Sequence, residues 1–268
     1  MFPASRSDQA AGLREMFAHA QVRFVPVVAN PNVAFGGVML ERLCTAFAEH
    51  GARVLVIDAS DRAREAGEMA MVDLAQCIER LSPQVSFLAA RRLPLRFVDS
   101  LGSTRAFLQR GAEASPESDL VLVHAGAPEL CRMFARGRGR AAAADTDEGD
   151  ASCPILLADD RPESVTHAFA SMKLLATRAG LMVADLLLGA APHSPRAERI
   201  AASVAACAEQ SFGAVLRDWA RIDPAGDPND PPGPALRRLV AARIVARGPT
   251  HRAASTPAGG VLAARHAR

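Results

Sequence analysis

Phe24-Val25-Pro26-Val27-Val28-Ala29-Asn30-Pro31-Asn32-Val33-Ala34-Phe35-Gly36-Gly37 joins an apolar run to a loop of turn-forming residues, and the patterns flanking that loop decide the fold. Leu40, Leu43, Cys44 and Phe47 recur at i, i+3, i+4 and i+7 of a helix ending near His50, and a second apolar run, Val54 to Ile57, closes on Asp58. From Val22 to Asp58 this is the layout of a nucleotide-binding βαβ unit. A phosphate-binding loop in that position needs a lysine to reach the phosphates and a Ser or Thr to hold Mg²⁺. The loop from Asn30 to Gly37 has neither, and the one lysine of the chain, Lys173, is far away in the sequence. The architecture of a nucleotide binder is present without its phosphate chemistry.

Outward from this unit, strand-like runs recur at Val85 to Ala89, Leu120 to Val123, Ile155 to Ala158, Met182 to Leu188 and Ala214 to Ile222. Most are continuous Val/Leu/Ile stretches, as in strands covered on both faces. Helical patterns lie between them. Met71, Leu74, Ala75, Ile78 and Leu81 share one spacing, and a further helix starts after Asp160 with Pro162 in its first turn, buries Val165, Phe169, Met172 and Ala176, and stops at Gly180. The alternation predicts a doubly wound α/β fold, a mostly parallel sheet of about seven strands with helices on both faces. Residues 22–246 form this domain. Within it, residues 137–152 read as a mobile acidic insertion and residues 223–234 as a Pro/Gly/Asp-rich linker before a helix from Ala235 to Ala246, while residues 247–268 read as a disordered tail.

Thirty-one basic residues, one of them lysine and so 30 arginines, stand against 29 acidic ones for a net charge of +2. That balance argues against a nucleic-acid binder, whose affinity rests on neutralising phosphates. The five cysteines are odd in number, scattered and mostly set in apolar helical patterns, so they read as buried small hydrophobes in a reducing, cytoplasmic setting. No apolar run reaches the roughly 20 residues of a bilayer span. His124, Asp58 and Asp99 lack metal-ligand spacing, so no metal site is expected, and His124 reads as a hydrogen-bonded histidine at a strand end.

Ahead of the first strand, Ser7 or Asp8 can cap a short helix whose Ala10, Leu13, Phe17 and Ala20 share a face, over residues 1–21. Here Asp8-Gln9-Ala10-Ala11-Gly12-Leu13-Arg14 resembles the Asp-Gln-Ala-x-x-Leu-Arg motif of the flagellar number regulators FlhG and FleN, within the MinD/ParA group of deviant P-loop ATPases. The segment Val27 to Ser60 and the stretch Asp159-Asp160-Arg161-Pro162-Glu163-Ser164 onward to Leu175 are similar to that family as well. The resemblance implies a P-loop NTPase fold of MinD type. It also implies that Asp8, Gln9, Ala10, Leu13 and Arg14 engage a FlhF-type signal-recognition GTPase and stimulate it, with flagellar basal-body components as further partners and recruitment to the cell pole through them.

The same resemblance marks what has changed. The family's signature lysine corresponds to Pro31, its phosphate lysine to Gly36 and its Mg²⁺-holding Thr to Gly37. Asn32, Val33 and Phe35 replace glycines, and Ala34 completes the altered loop. Of the family's Asp-x-Asp only Asp58 remains, with Ser60 in the second place; His124 ends the strand where a Walker B Asp is expected, and Gly189 stands where an Asn would read the base. Phosphoryl transfer depends on positioned charges that these substitutions remove. The expectation is a pseudo-ATPase with no cofactor, no nucleotide-bridged homodimer and no catalytic residue. The weakly apolar final residues, Gly259 to Arg268, argue against strong direct membrane binding. Mg²⁺-ATP bound with help from arginine, in an active if atypical ATPase, is the alternative, and a related polar-positioning or secretion scaffold is another.

Overall fold

The computed structural model describes residues 22–135 and 153–244. The expected N-terminal helix with Asp8, Gln9, Ala10, Leu13 and Arg14, the insertion at 137–152 and the tail at 247–268 lie outside the described residues. The described residues build one eight-stranded sheet in the order β3-β4-β2-β5-β1-β6-β7-β8. Its strands are β1 (Arg23–Val28), β2 (Val54–Asp58), β3 (Glu79–Arg80), β4 (Val85–Ala89), β5 (Leu120–Ala125), β6 (Ile155–Asp159), β7 (Val183–Gly189) and β8 (Val215–Ile222). Every pairing is parallel except that of β3 with β4. Among the described residues six helices flank it: α1 (Gly36–Glu49), α2 (Arg105–Ala114), α3 (Ala127–Phe134), α4 (Pro162–Leu174), α5 (Arg196–Phe212) and α6 (Pro234–Ile244).

Apolar residues on both faces of the central strands make two cores. Val54, Val56, Leu120 and Leu122 face α1 and α6, where Leu43, Phe47, Leu236 and Leu239 are buried. Their neighbours Leu55, Ile57, Val121 and Val123 face the opposite side with Phe107, Leu130, Met172 and Val204 from α2, α3, α4 and α5. Strands covered in this way read as unbroken apolar runs. Pro26 lies inside central β1 without an N–H to give, and β6 pairs with β1 only beyond it, at Val27 and Val28.

The expected helix over Met71 to Leu81 is replaced by 3-10 turns at Glu68–Met71 and Ala75–Cys77 and by the two-residue edge strand β3, which accounts for the eighth strand. Asp73 explains the break. Its carboxylate accepts bonds from the Ala75 N–H (2.9 Å) and the Gln76 side chain (3.0 Å), a local alternative to helical bonding. From Met71 to Leu81 only Leu74 is buried, joined by Ala70 just ahead of it, and Met69, Met71, Val72 and Leu81 are exposed. Downstream, α4 passes through a π turn at Leu175–Ala179 and stops at Gly180, whose φ of 72° suits a residue without Cβ. Of the cysteines, Cys44 and Cys153 are buried, Cys77 and Cys131 half-buried, and Cys207 departs from expectation by being exposed on α5. Burial, with Glu41 nearby, pushes the Cys44 thiol up to about 12.

At the far end of the sheet, Asp185 is fully buried on β7 and binds two arginines. Arg217 reaches it at 2.8 and 3.2 Å from a bulge in β8, and Arg243 of α6 pairs with the same carboxylate while bonding Leu239 O (3.2 Å) and Cys153 O (3.1 Å). This network fastens α6 to the sheet. Arg243→Met is expected to cost about 3 kcal/mol in urea unfolding, because it removes one partner of a buried carboxylate. The double variant Asp185→Leu/Arg243→Met should recover part of that loss.

Candidate functional site

β1 sits between β5 and β6, so the chain leaves it on one side and returns on the other, which opens a crevice at the carboxyl ends of the strands. The loop from Asn30 to Phe35 and the end of β6, Asp159 to Arg161, occupy that crevice. Asn30 anchors the loop. It is 8% exposed, and its Nδ2 donates to Leu157 O (2.9 Å), Ser164 O (2.9 Å) and Ser164 Oγ (3.2 Å). Its Oδ1 accepts from the Asn32 N–H at 3.0 Å. Ser164 Oγ in turn accepts from the Asp159 N–H at 2.9 Å, so the ends of β1 and β6 and the start of α4 are stitched together.

A phosphate cradle turns consecutive backbone N–H groups toward an anion. Here the chain bonds those groups itself. The Asn32 N–H is on Asn30 Oδ1, the Val33 N–H on Asn30 O (3.1 Å), and the Ala34 N–H on Asp159 Oδ2 (3.2 Å). The loop carbonyls face guanidinium groups instead. Arg62 donates to Pro31 O (2.6 Å) and Val33 O (3.4 Å), and Arg161 donates to Asn32 O while pairing with Asp159 at 2.9 Å. Asn32 Nδ2 also reaches Glu163 O at 3.4 Å. Beneath the loop, the Val33 side chain is 1% exposed and packs into the α1-side core, whereas Phe35 is 56% exposed. Val33, not Phe35, fills the space under the loop. Gly36 and Gly37 open α1, which has no side-chain cap.

Across the neighbouring strands, Asp58 and His124 stand opposite each other in the β2–β5 register. The imidazole Nδ1 is 2.9 Å from Asp58 Oδ1, and beside a carboxylate this is the nitrogen that holds the proton. The Ser60 N–H donates to the same oxygen at 3.1 Å. Burial pushes the Asp58 carboxyl up, but the His124 hydrogen bond and charge, with Ser60, outweigh it and hold the acid below its ordinary value. Asp99 takes no part, its side chain being used within its own turn on Leu101 and Ser103. Among the described residues no group of three or more His, Cys, Asp or Glu side chains is placed to hold a metal ion. Gly189, at the end of β7, has little room for a side chain, since a Cβ there would stand 3.2 Å from Met39 Sδ and 3.6 Å from Pro224. A hollow of about 310 Å³ lies toward the amino ends of β7 and β8 among Asp185, Arg217, Asp218 and Arg238, away from the loop.

No protein-family model and no curated protein matches the sequence. Solved structures do match in shape. The MinD cell division protein of Aquifex aeolicus superposes with a TM-score of 0.50 at 13% identity, over 85% of this chain and 98% of that one. Cobyrinic acid a,c-diamide synthase of Mycobacterium smegmatis gives 0.52 at 13% identity, over 83% and 94%. A plasmid partition protein of Borrelia burgdorferi gives 0.50 at 8%, over 84% and 97%. The chain has the MinD-like P-loop NTPase fold. At these identities the likeness is one of fold.

The turn-rich loop without lysine or hydroxyl and the strand-end positions of Asp58 and His124 are evident in the sequence; Arg62, Asp159, Arg161 and Ser164 as the groups that close the loop are not. None of the described helices is long and apolar enough to cross a membrane. Asn30→Ala removes the stitch between β1 and β6 and is expected to cost about 2 kcal/mol in chemical unfolding, the penalty for stranding buried carbonyls. Because the folded-state pKa of Asp58 is depressed, its contribution to stability is complete above the unfolded carboxylate value of about 4 and fades as pH falls through the lower folded value. Asp58→Asn should therefore flatten the loss of stability below about pH 4 relative to the parent chain, measured by thermal unfolding across that range.

Proposed function

We propose that this chain is an adaptor of MinD-like fold that does not hydrolyse ATP and that presents its N-terminal segment to a FlhF-type GTPase, in the manner of a flagellar number regulator. One observation carries the non-hydrolysing part: the loop that would cradle phosphates bonds its own N–H groups to Asn30 and Asp159 and buries Val33 beneath it. A carboxylate already sits at the Ala34 amide, so an incoming triphosphate meets negative charge where it needs donors. Arg62 and Arg161 supply positive charge beside the loop, but they are engaged by loop carbonyls and Asp159. The partner assignment is supported by the Asp8-Gln9-Ala10 to Leu13-Arg14 motif, with Gln9 and Arg14 as the groups that reach the GTPase site and Leu13 as the apolar anchor. The α/β body then acts as a docking platform, and association with basal-body components is part of the same reading.

Two measurements test the two halves separately. Calorimetric titration of the full chain with Mg²⁺-ATP is expected to show no saturable heat into the millimolar range; tight uptake would favour the atypical ATPase instead. Mixed with a FlhF-type GTPase, the full chain should raise GTP turnover, and Gln9→Ala should abolish the rise. No stimulation, or stimulation that survives Gln9→Ala, discards the adaptor reading.

A further inference from the structure

The loops after β2 and β4 enclose a small hollow at the carboxyl edge of the sheet, lined by Glu65, Ala66, Arg91, Arg92, Leu93 and Arg96, with a volume of about 130 Å³. Three guanidinium groups against one carboxylate leave two positive charges in excess there. Glu65 pairs with Arg91 at 3.0 Å and with Arg92 at 3.5 Å. Arg96 is exposed and makes no hydrogen bond or ion pair with the described residues. Arg91 donates to Asp61 O at 3.4 Å, yet its Nε is buried without any acceptor. A buried N–H left unbonded is a cost that packing alone does not explain.

The backbone gives an independent sign. Arg92 is the one non-glycine residue of positive φ among the described residues, at 61°. It occupies the third position of a turn closed by the Leu93 N–H on Ala90 O (3.0 Å), where glycine or asparagine is the ordinary occupant. Strain of this kind persists only where the surrounding structure over-determines it, and it clusters at sites that hold ligands. Here it sets a second guanidinium on the hollow between Arg91 and Arg96.

We propose that this hollow binds a compact oxyanion, a phosphate group, held by Arg91, Arg92 and Arg96 between the loops after β2 and β4. Guanidinium forks match the tetrahedral oxygens of phosphate and form charge-assisted bonds, and the orphaned Arg91 Nε gains its missing acceptor. The volume is well below the roughly 300 Å³ at which cavities begin to enclose larger ligands, so the site takes one anionic group and not a nucleotide. It lies at the carboxyl ends of β2 and β4, two or more strands from the closed loop after β1, and does not depend on the adaptor reading. Glu65 competes with the anion for two of the three arginines.

The test is calorimetric titration of the full chain with inorganic phosphate, and in parallel with glycerol phosphate, at fixed ionic strength. Saturable one-site uptake of either is expected. Preference for inorganic phosphate assigns the free ion, and comparable uptake of the ester assigns a phosphoryl group carried by a small molecule. Arg96→Gln, at an exposed residue without a partner among the described residues, should weaken binding at least about tenfold with no change in melting temperature, as for loss of a charge-assisted bond. Glu65→Gln should tighten binding by freeing Arg91 and Arg92. The control Arg110→Gln on α2 should leave binding unchanged. Absence of saturable uptake, indifference to Arg96→Gln, or equal weakening by Arg110→Gln would overturn the proposal.

Discussion

The geometry at the carboxyl edge of the sheet depends on how the Asn30 side chain is satisfied. A carboxamide offers two donors and one oxygen acceptor, and at 8% exposure it must find bonds inside the protein. It finds them on β6 at Leu157 and on α4 at Ser164, while its oxygen turns back to the Asn32 amide. That turn fixes the next residues. With Asn32 and Val33 N–H both bonded to Asn30, the Val33 side chain is directed into the core and the carbonyls of Pro31, Asn32 and Val33 are left for Arg62 and Arg161. The closed loop stems from one buried amide, and with the loop closed its N–H groups are bonded within the chain.

A second buried group does comparable work at the opposite edge. Asp185 on β7 would be costly alone, and Arg217 and Arg243 approach it from two elements, one displaced by a bulge and one on the last described helix. Arginine's planar fork lets Arg243 bond Asp185, Leu239 O and Cys153 O at once, which a lysine ammonium on a flexible stem does less well. In a chain with 30 arginines and one lysine, the same side chain thus serves α6 docking, closure of the loop by Arg62 and Arg161, and the lining of the small hollow beside β4.

The βαβ unit is legible in the sequence because its two strands are long apolar runs and the helix between them keeps a clean i, i+3, i+4 spacing. The stop at Gly180 is legible because a residue without Cβ has a specific use there. The segment from Met71 to Leu81 misleads because its spacing is helical while its burial is not. Within it only Leu74 is buried, with Ala70 just ahead of it, and the Asp73 carboxylate supplies bonds that compete with a helix. At the site, the lack of a lysine or a hydroxyl residue from Asn30 to Gly37 can be read directly, and so can a hydrogen bond for His124, found on Asp58 across the register. The partners that close the loop cannot. Arg62 lies 31 positions beyond Pro31 and Arg161 lies 129 beyond Asn32, and no local periodicity ties such residues together. The run from Asp159 to Ser164 is similar to a family segment, but that similarity carries no signal that Asp159 bonds the Ala34 amide.

A closed loop also limits how such a protein can be controlled. A ligand shifts a conformational equilibrium only by the difference in its affinity for the two states. For a nucleotide to act here it would have to displace the bonds on the Asn32, Val33 and Ala34 amides, each worth about 1 kcal/mol net, and extract Val33 from the core as well. Those costs fall on the nucleotide-bound state alone and bias the chain toward one conformation, so under the proposed adaptor function the scaffold acts as a constitutive platform. Control over its activity then has to enter elsewhere. It can act through the amount of protein present, or through a ligand that binds a surface the closed loop leaves free. The arginine-lined hollow between the loops after β2 and β4 is such a surface, and its bordering residue Glu65 pairs with Arg91 and Arg92 across those two loops, so occupancy there can change how the loops are held without reopening the site after β1.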